Sequence, residues 1–429
     1  MSPAAPAFVI KGGRVVDSTG TRDADVVVGV DGTIVAVGSD LDAPETLDAS
    51  GCIVSPGFVD IHSHLRQPGQ EEAETIETGA RGAAVGGYTC ILAMPNTIPA
   101  IDSASVAREV LELGRSAPCD VRTSGAITVG RAGTQLAPMA ELAELGVTLF
   151  TDDGAGVQDN RLMRRAMEYA TGLGVTLAQH CEDDALCGGG HMHEGEWSSR
   201  LGIPGQPAEA EELMVMRDIA LARLTGAKLH FQHMSTAGSM AMIAGAKAAG
   251  LSITCEATTH HFTLTHANCA SYDPVFKVNP PLRTDEDVAA VKAAIASGTV
   301  DCIATDHAPH APDTKLAPFD EAPPGMLGLE TALALALTEL DIEVEAVVGL
   351  LSWQPAAIIG ADDRHGLPVA EGNPANLCVF DPEEEWTIDG NAMQSKSRNT
   401  PYAGRRVRGR VRHTVLEGEP VVRNGEPTR

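Results

Sequence analysis

The sequence predicts an α/β protein, a (β/α)8 TIM-like barrel with a small β-sandwich domain formed by both chain ends. In the middle of the chain, apolar strand-like runs alternate with helical stretches rich in Ala, Glu and Leu, whereas β-branched runs separated by turn residues occupy both ends. The chain has 429 residues, 43% of them hydrophobic, which is enough for a barrel with an added domain. The predicted parts are 1–55 and 361–429 for the β domain and 56–360 for the barrel.

The two ends of the chain resemble each other in pattern. Near the N-terminus, the β-branched runs are 8–10, 26–28 and 34–37, and Asp31-Gly32 between the last two predicts a hairpin. Near the C-terminus, the corresponding runs are 377–380, 411–415 and 421–422. We therefore expect the two flanking segments to fold together.

The central part supplies the eight strands that a barrel needs. Helical stretches such as 106–113, 139–145, 161–170 and 209–224 alternate with them. The strand candidates are 58–62, 89–94, 121–127, 147–151, 175–179, 228–232, 252–256 and 300–305.

Composition restricts the class of protein. A formal net charge of −27 disfavours nucleic acid and anionic membranes as partners, and an anionic ligand would need local positive groups. Nine cysteines without a C-x-x-C pair predict reduced thiols in a cytoplasmic protein. The N-terminus has no basic segment followed by an apolar one, and no run of 18 apolar residues occurs, so neither a signal peptide nor a membrane span is expected.

Side chains able to bind a metal end five of the eight strand candidates. Barrel enzymes place catalysis at the carboxyl ends of their strands, and alternation puts both histidines of the H-x-H pair on one face. Four imidazoles and two carboxylates there could hold one or two divalent metals, and zinc suits such ligands. The six residues are His62, His64, Asp153, His180, His233 and Asp306.

Motifs along the whole chain carry a resemblance to a known family. The stretch 56–66, Pro-Gly-Phe-Val-Asp-Ile-His-Ser-His-Leu-Arg, resembles the opening motif of the amidohydrolase superfamily. Arg66 next to the H-x-H pair resembles the dihydroorotase version of it. The sequence is similar to the class I bacterial dihydroorotases in further motifs, which are 93–97, 150–154, 233–236, 277–283 and 305–310.

The resemblance implies a binuclear Zn²⁺ site. His62 and His64 with Asp306 would bind one ion, His180 and His233 the other, and a carboxylate after the fourth strand would bridge them. Asp153 is preferred over Asp152 because its position relative to His180 fits the family better. Asp306 would also be the catalytic proton shuttle. His260 and His261, near the end of the seventh strand, are candidates to contact the ligands.

The family's reaction is the reversible cyclisation of N-carbamoyl-L-aspartate to dihydroorotate in pyrimidine (UMP) biosynthesis. Pro324-Gly325 stands where members usually have an aromatic-glycine pair, and Pro324 offers no N–H. The resemblance also suggests that 307–325 is a mobile flap. The implied substrate-binding residues are His64, Leu65, Arg66, Asn96, Asn279, His310, Pro324 and Gly325.

The sequence also bears on three other functions. No lysine occurs between Lys11 and Lys228, which excludes the carboxylated lysine that hydantoinases and dihydropyrimidinases use after the fourth strand. An allantoinase is disfavoured by Arg66 and the Asn279 motif. A non-catalytic dihydroorotase-like subunit typically loses metal ligands, whereas all six are present here. Aspartate transcarbamoylase is a candidate partner, a homo-oligomer is expected, and zinc occupancy stays open.

Overall fold

The structure is a computed structural model that describes residues 4–429. It combines helices and strands along the chain, which confirms the α/β class. The strands are β1 (Pro6–Lys11), β2 (Arg14–Asp17), β3 (Gly20–Asp23), β4 (Asp25–Gly29), β5 (Ile34–Gly38), β6 (Glu45–Asp48), β7 (Ile53–Pro56), β8 (Phe58–Ser63), β9 (Tyr88–Ala93), β10 (Asp120–Thr123), β11 (Leu149–Phe150), β12 (Thr176–Gln179), β13 (Met192–His193), β14 (Gly205–Gln206), β15 (Lys228–Phe231), β16 (Ile253–Thr258), β17 (Cys302–Ala304), β18 (Leu377–Thr387), β19 (Arg406–Leu416), β20 (Glu419–Arg423) and β21 (Glu426–Pro427). The helices are α1 (Ile76–Val85), α2 (Ala104–Gly114), α3 (Met139–Ala143), α4 (Asn160–Leu173), α5 (Asp184–Cys187), α6 (Glu196–Leu201), α7 (Glu209–Thr225), α8 (Ala237–Ala248), α9 (Thr259–Thr263), α10 (Asp285–Ala296), α11 (Ala332–Glu339), α12 (Val344–Leu351) and α13 (Trp353–Ile358).

Eight parallel strands lie where the alternation predicts them. Strands β8, β9 and β10 form one sheet, and β11, β12, β15, β16 and β17 form another, with every neighbouring pair parallel. Isolated parallel bridges connect Gly125 with Phe150 and Ser63 with His307, which are the two places where the sheets adjoin. The backbone N–H of His64 donates to His307 O at 2.8 Å across the second of these places.

The third and fourth strands are shorter than their apolar runs. Strand β10 ends at Thr123 although the run continues to 127. Ser124 N and Gly125 N still donate to Ala93 O of β9 and Leu149 O of β11, but the backbone groups after them bond outside the strands. The N–H groups of Ile127 and Thr128 donate to Oδ1 of Asp152, at 2.8 and 3.0 Å. The chain therefore turns into a loop above β10 that is held against the end of β11.

The predicted helices form, with boundaries that their caps explain. Helix α4 begins after Asp159, whose carboxylate accepts from Leu162 N at 2.7 Å. It ends at Gly174, which has a φ of 75°, a conformation that glycine adopts without strain. Its buried face is Met163, Ala166, Met167 and Ala170, so the helix packs along one apolar stripe.

Both chain ends contribute to one sheet. Its order is β21-β20-β19-β18-β7-β2-β3, so β7 lies between strands from opposite ends, antiparallel to β18 and parallel to β2. A second sheet has the order β5-β4-β1-β6, and the predicted hairpin joins β4 to β5. One apolar cluster includes Phe8, Ile10, Val54, Leu377, Val379 and Val415.

Candidate metal centre

Six side chains converge beyond the carboxyl ends of β8, β11, β12, β15 and β17, and Asp153 lies at their centre. Its carboxylate oxygens approach His62 Nε2 at 3.3 Å, His64 Nε2 at 3.5 Å, His180 Nδ1 at 3.4 Å and His233 Nε2 at 3.6 Å. All five side chains are buried. The structure thus contains two groups of three possible ligands that share Asp153.

Asp306 lies on the side of this cluster formed by β8. Its Oδ1 is 3.0 Å from His64 Nε2 and 3.5 Å from His62 Nε2. Its Oδ2 is 4.0 Å from Nε2 of His260, a nitrogen that is buried and has no hydrogen-bond partner within residues 4–429. His260, a candidate from the sequence, therefore lies against the cluster.

The donor atoms suit a metal cation. His180 Nδ1 and His233 Nε2 lie 2.8 Å apart, and His62 Nε2 is buried without a hydrogen-bond partner in the described part of the chain. Three of the rings have their second nitrogen at a polar oxygen: His62 Nδ1 at Glu256 (2.5 Å), His64 Nδ1 at Asn96 (2.9 Å) and His180 Nε2 at Glu182 (2.7 Å). Such partners fix the tautomer and leave the inner nitrogen free to bind a metal.

The electrostatics of the cluster favour positive charge. Burial lowers the pKa of His180, but the carboxylates of Asp153 and Glu182 outweigh it and raise that pKa to about 10. Burial likewise raises the pKa of Asp153, yet the surrounding imidazoles hold it well below its usual value. A site that attracts protons to its nitrogens also attracts a metal cation, since both bind the same lone pairs.

The structure separates the two neighbouring aspartates that the sequence left as alternatives. Asp152 accepts hydrogen bonds from the backbone of Ile127 and Thr128 and from the Thr128 hydroxyl. Its carboxylate is thus engaged in anchoring the loop above β10. Asp153, by contrast, faces four imidazoles, as the preferred bridging position requires.

Glu256 is a functional candidate that the sequence reasoning missed. It lies on β16, fully buried, and its carboxylate contacts His62 Nδ1 (2.5 Å), His230 Nε2 (3.1 Å) and the backbone N–H of His233 (3.0 Å). Burial raises the pKa of Glu256, but the two imidazoles lower it to about 2. The sequence contains one indication of this role, because an acidic residue inside an apolar strand needs a buried partner.

Three residues of the predicted site have left-handed backbone conformations. Arg66 has a φ of 63°, His233 of 35° and Asp306 of 44°. Such values are uncommon for residues other than glycine and cost about 1–3 kcal/mol each. Backbone strain of this kind concentrates at functional sites, where the surrounding structure holds side chains in a required direction.

A cavity of about 220 Å³ opens onto the cluster. Seven of the eight predicted substrate-binding residues line it: His64, Arg66, Asn96, Asn279, His310, Pro324 and Gly325. Leu65 is the exception, because its side chain is buried in the core that covers α1 and does not line the cavity. Arg131 and Gly154 also line the cavity, although the sequence reasoning did not single them out.

The polar groups of the cavity have defined directions. Arg66 donates from Nε to Pro309 O at 3.0 Å, and its Nη2 lies 3.4 Å from His310 Nε2. Burial lowers the pKa of Arg66 to about 10, so the guanidinium stays charged at neutral pH. The carboxamide oxygen of Asn279 is buried, and none of the described residues donates a hydrogen bond to it. Asn399, which no motif indicated, donates to Ala308 O and Gly325 O, at 2.9 and 3.1 Å.

Parallel strands that bring histidines and aspartates to their carboxyl ends define the amidohydrolase class of metal-dependent enzymes. Comparison with known proteins narrows the class further. Residues 51–239 match the family model described as dihydro-orotase-like. The chain is 44% identical to a dihydroorotase of Geobacter sp. (strain M21), over 97% of this chain and 100% of that protein. It is 45% identical to a dihydroorotase of Streptomyces coelicolor, over 98% and 99%.

The chain therefore belongs to the dihydroorotase-like family. Among solved structures, an L-hydantoinase (dihydropyrimidinase) from Arthrobacter aurescens superposes with a TM-score of 0.89. It shares 24% sequence identity, and the match covers 99% of this chain and 98% of that one. This likeness concerns the fold alone.

Proposed function

We propose that the protein is a dihydroorotase, which cyclises N-carbamoyl-L-aspartate reversibly to (S)-dihydroorotate in the synthesis of UMP. One observation carries the proposal. A cluster of four histidines and two aspartates adjoins a cavity lined by Arg66, Asn96, Asn279 and His310. Hydrolysis of a small anionic cyclic amide requires a metal site and, beside it, hydrogen-bond donors that bind the carboxylate of the substrate.

The architecture would consist of an eight-stranded barrel and a small domain formed by both chain ends. The parallel pairs and the two bridges between the sheets support closure into a (β/α)8 barrel of residues 56–360. The sheet shared by β2, β7 and β18 supports a small β-sandwich domain made of residues 1–55 and 361–429.

The site would hold two Zn²⁺ ions bridged by Asp153. Its position within 3.6 Å of a nitrogen from each of four imidazoles supports this assignment. His62 and His64 would bind one ion with Asp306, and His180 and His233 the other. A bound divalent metal supplies activation of water at neutral pH and polarisation of a carbonyl.

The side chains around the cavity would orient the substrate. The planar fork of Arg66 suits the carboxylate that both substrates carry, and Asn96 and His310 lie beside it. The unpartnered oxygen of Asn279 can accept a ring N–H. Pro324 has no N–H to offer, so its carbonyl, which accepts from His310 Nε2 at 2.7 Å, would act through that histidine.

Asp306 would move the proton. In ring opening it would take a proton from the attacking water and then give it to the departing ring nitrogen. Burial raises its pKa, but the imidazoles beside it lower the pKa overall below the usual value. The carboxylate is therefore ionised at neutral pH, as a general base must be.

The proposal extends to partners and location. N-carbamoyl-L-aspartate and dihydroorotate would be the small-molecule partners. The chain would form a homo-oligomer, and aspartate transcarbamoylase is proposed as a further partner. Nine cysteines present as free thiols support a reducing, cytoplasmic setting. No helix of residues 4–429 is long and apolar enough to cross a membrane.

Zinc analysis and turnover on the purified chain test the proposal. We expect two zinc ions per chain, with turnover of both N-carbamoyl-L-aspartate and dihydroorotate. Asp306→Asn should keep most of its metal and lose at least about 10²-fold in turnover, because the amide cannot accept the proton.

The two alternative functions predict different results. Faster hydrolysis of allantoin than of dihydroorotate would indicate an allantoinase. A zinc-loaded protein without turnover of either substrate would indicate a non-catalytic subunit.

A further inference from the structure

Asn399 lies in the loop between β18 and β19, and its side chain binds both ends of the segment 307–325. The residue is buried. Its carboxamide oxygen accepts from His310 N at 3.1 Å, and its carboxamide nitrogen donates to Ala308 O at 2.9 Å and to Gly325 O at 3.1 Å. These contacts use both donors of the carboxamide and its acceptor, so the side chain is held in one orientation.

Backbone hydrogen bonds support the same arrangement. The carbonyl of Asn399 accepts from Leu327 N at 3.2 Å, just beyond the end of the segment. Ala308 N donates to Met326 O at 2.7 Å, so the two ends also contact each other directly. The beginning and the end of the segment are thus joined to each other and to Asn399.

The two ends carry groups that line the cavity. His310 Nε2 lies 2.7 Å from Pro324 O and 3.4 Å from Arg66 Nη2. The ends approach so closely that a Cβ on Gly325 would lie 2.7 Å from His310 Nε2 and 2.8 Å from Ala308 Cβ. Because there is no spare room, a change in the spacing of the ends would displace the His310 ring relative to Arg66.

The loop that carries Asn399 is anchored to residues outside the segment that it holds. Ser397 Oγ donates to Ala73 O at 2.7 Å, and Lys396 N donates to Oε1 of Glu74 at 3.0 Å. Both acceptors lie in the loop between β8 and α1, and Glu74 is fully buried. The position of Asn399 is therefore set independently of the cavity.

We propose that Asn399 is a positioning residue of the substrate site, which holds the two ends of 307–325 at the spacing that directs His310 and Gly325 into the cavity. This inference rests on the proposed dihydroorotase function, in which both of those residues contact the substrate. Asn399 does not line the cavity, so its effect reaches the substrate through these neighbours. The C-terminal part of the chain thereby contributes to a site whose predicted residues all lie between positions 62 and 325.

Kinetics of Asn399→Ala in both directions tests the proposal. We expect the KM for N-carbamoyl-L-aspartate and for dihydroorotate to rise about 10- to 100-fold with kcat within about threefold, because groups that bind both substrates are displaced while the metal cluster is not. Asn399→Ser, which retains one hydrogen-bonding group, should lose less and replaces the alanine variant if that variant does not fold. Asn391→Ala, at an exposed position of the same loop, is the control and should match the unaltered protein.

A double-mutant cycle shows whether Asn399 acts through His310. In the presence of His310→Ala, Asn399→Ala should lower kcat/KM by at least about fivefold less than it does alone, because the group that it positions is already absent. Affinity for zinc, measured in competition with a chelator, should be unchanged by Asn399→Ala. Full additivity of the two losses, or weaker zinc binding, would overturn the positioning role in favour of a general effect on the fold or on the metal cluster.

Hydrogen exchange tests the hold on the segment independently of turnover. The amides of His310 and Leu327, which donate to Asn399, should exchange about tenfold faster in Asn399→Ala than in Asn391→Ala, relative to the rest of the protein. Unchanged exchange at both amides would overturn the inference whatever the kinetics. Absence of turnover in the unaltered protein would overturn the proposed function and the role in substrate binding, whereas faster exchange would still support the hold on the segment.

Discussion

Among single residues, Glu256 contacts two of the predicted metal ligands, although no sequence motif indicated it. Its carboxylate contacts the outer nitrogen of His62 and the backbone N–H of His233, which come from β8 and β15. One side chain thus sets the direction of two predicted ligands on separate strands. Because a ligand that must be oriented on binding loses affinity, Glu256 should contribute to metal binding without touching the metal.

We predict that Glu256→Gln weakens zinc binding about 10- to 100-fold, the usual cost of removing such a partner. The amide retains the size of the carboxylate, but its NH₂ group cannot accept from His62, His230 and the His233 N–H together. Competition with a chromophoric chelator measures the affinity. Glu109→Gln on the exposed face of α2 removes the same charge and serves as the control. Unchanged zinc affinity in Glu256→Gln would contradict the positioning role.

For single residues, the sequence was sufficient to predict those that lie in motifs. It was not sufficient for residues whose role depends on how distant segments come together. Spacing and strand ends were sufficient to propose the six candidate metal ligands, because period-two alternation and the parallel arrangement of the strands determine where those side chains point. Arg131 and Asn399 were not predicted, because the positions of their side chains depend on the conformations of loops. Leu65 was included for its place in a motif, but its side chain packs in the core.

Among the elements, the segment 307–325 has the least regular structure near the cavity. Two lysines link it to the loop between α9 and α10: Lys315 Nζ donates to Pro274 O of that loop at 3.0 Å and, within the segment itself, to Pro323 O at 2.7 Å. Lys277 Nζ donates to Asp320 O at 3.0 Å. The mobile flap that the resemblance suggested stays a prediction, and these contacts define what would have to break for it to open.

The charge of Lys315 gives this segment a predicted pH dependence. Burial, then repulsion from Lys277, lowers the pKa of Lys315 to about 7, while Asp273 acts in the opposite direction and Arg66 adds to the lowering. In an opened segment the pKa returns towards 10.5. Closure is therefore least favourable below pH 7 and becomes more favourable as pH rises from 7 towards 10.5, by up to about tenfold per pH unit.

Hydrogen exchange measures this effect directly. After correction for intrinsic rates, amides of 311–323 should exchange more slowly, relative to the rest of the protein, at pH 8.5 than at pH 6.5. Lys315→Gln should abolish the difference, because it carries no titrating group, whereas Lys228→Gln at an exposed site should preserve it. A difference that persists in Lys315→Gln would assign the pH dependence to another group.

The strands show why element boundaries are harder to predict than element order. All eight central strands occur in the predicted order, since apolar runs and helical stretches alternate regularly. Their ends depend on side chains from elsewhere, as where Asp152 draws Ile127 and Thr128 away from β10. No local pattern at 121–127 contains that information.

Across the whole molecule, the two chain ends are coupled through β7 and β18. Val54 and Val379 are paired in antiparallel register, are fully buried and belong to the same apolar cluster, although 325 positions separate them in the sequence. Paired residues point to the same face of a sheet, so the two side chains pack in one core. If residues 1–55 and 361–429 form one domain, the stability contributed by each valine depends on the other.

A double-mutant cycle tests this coupling through the free energy of unfolding in urea. Val54→Ala and Val379→Ala should each cost about 2 kcal/mol, since each removes two buried methyl groups. The two changes should be non-additive by about 0.5 kcal/mol or more, as expected for residues that share a core. Pairing Val379→Ala with Ile243→Ala, on α8 in a different cluster, should be additive within about 0.5 kcal/mol. Additivity of the first pair would mean that the two ends are stabilised independently, against the single β domain.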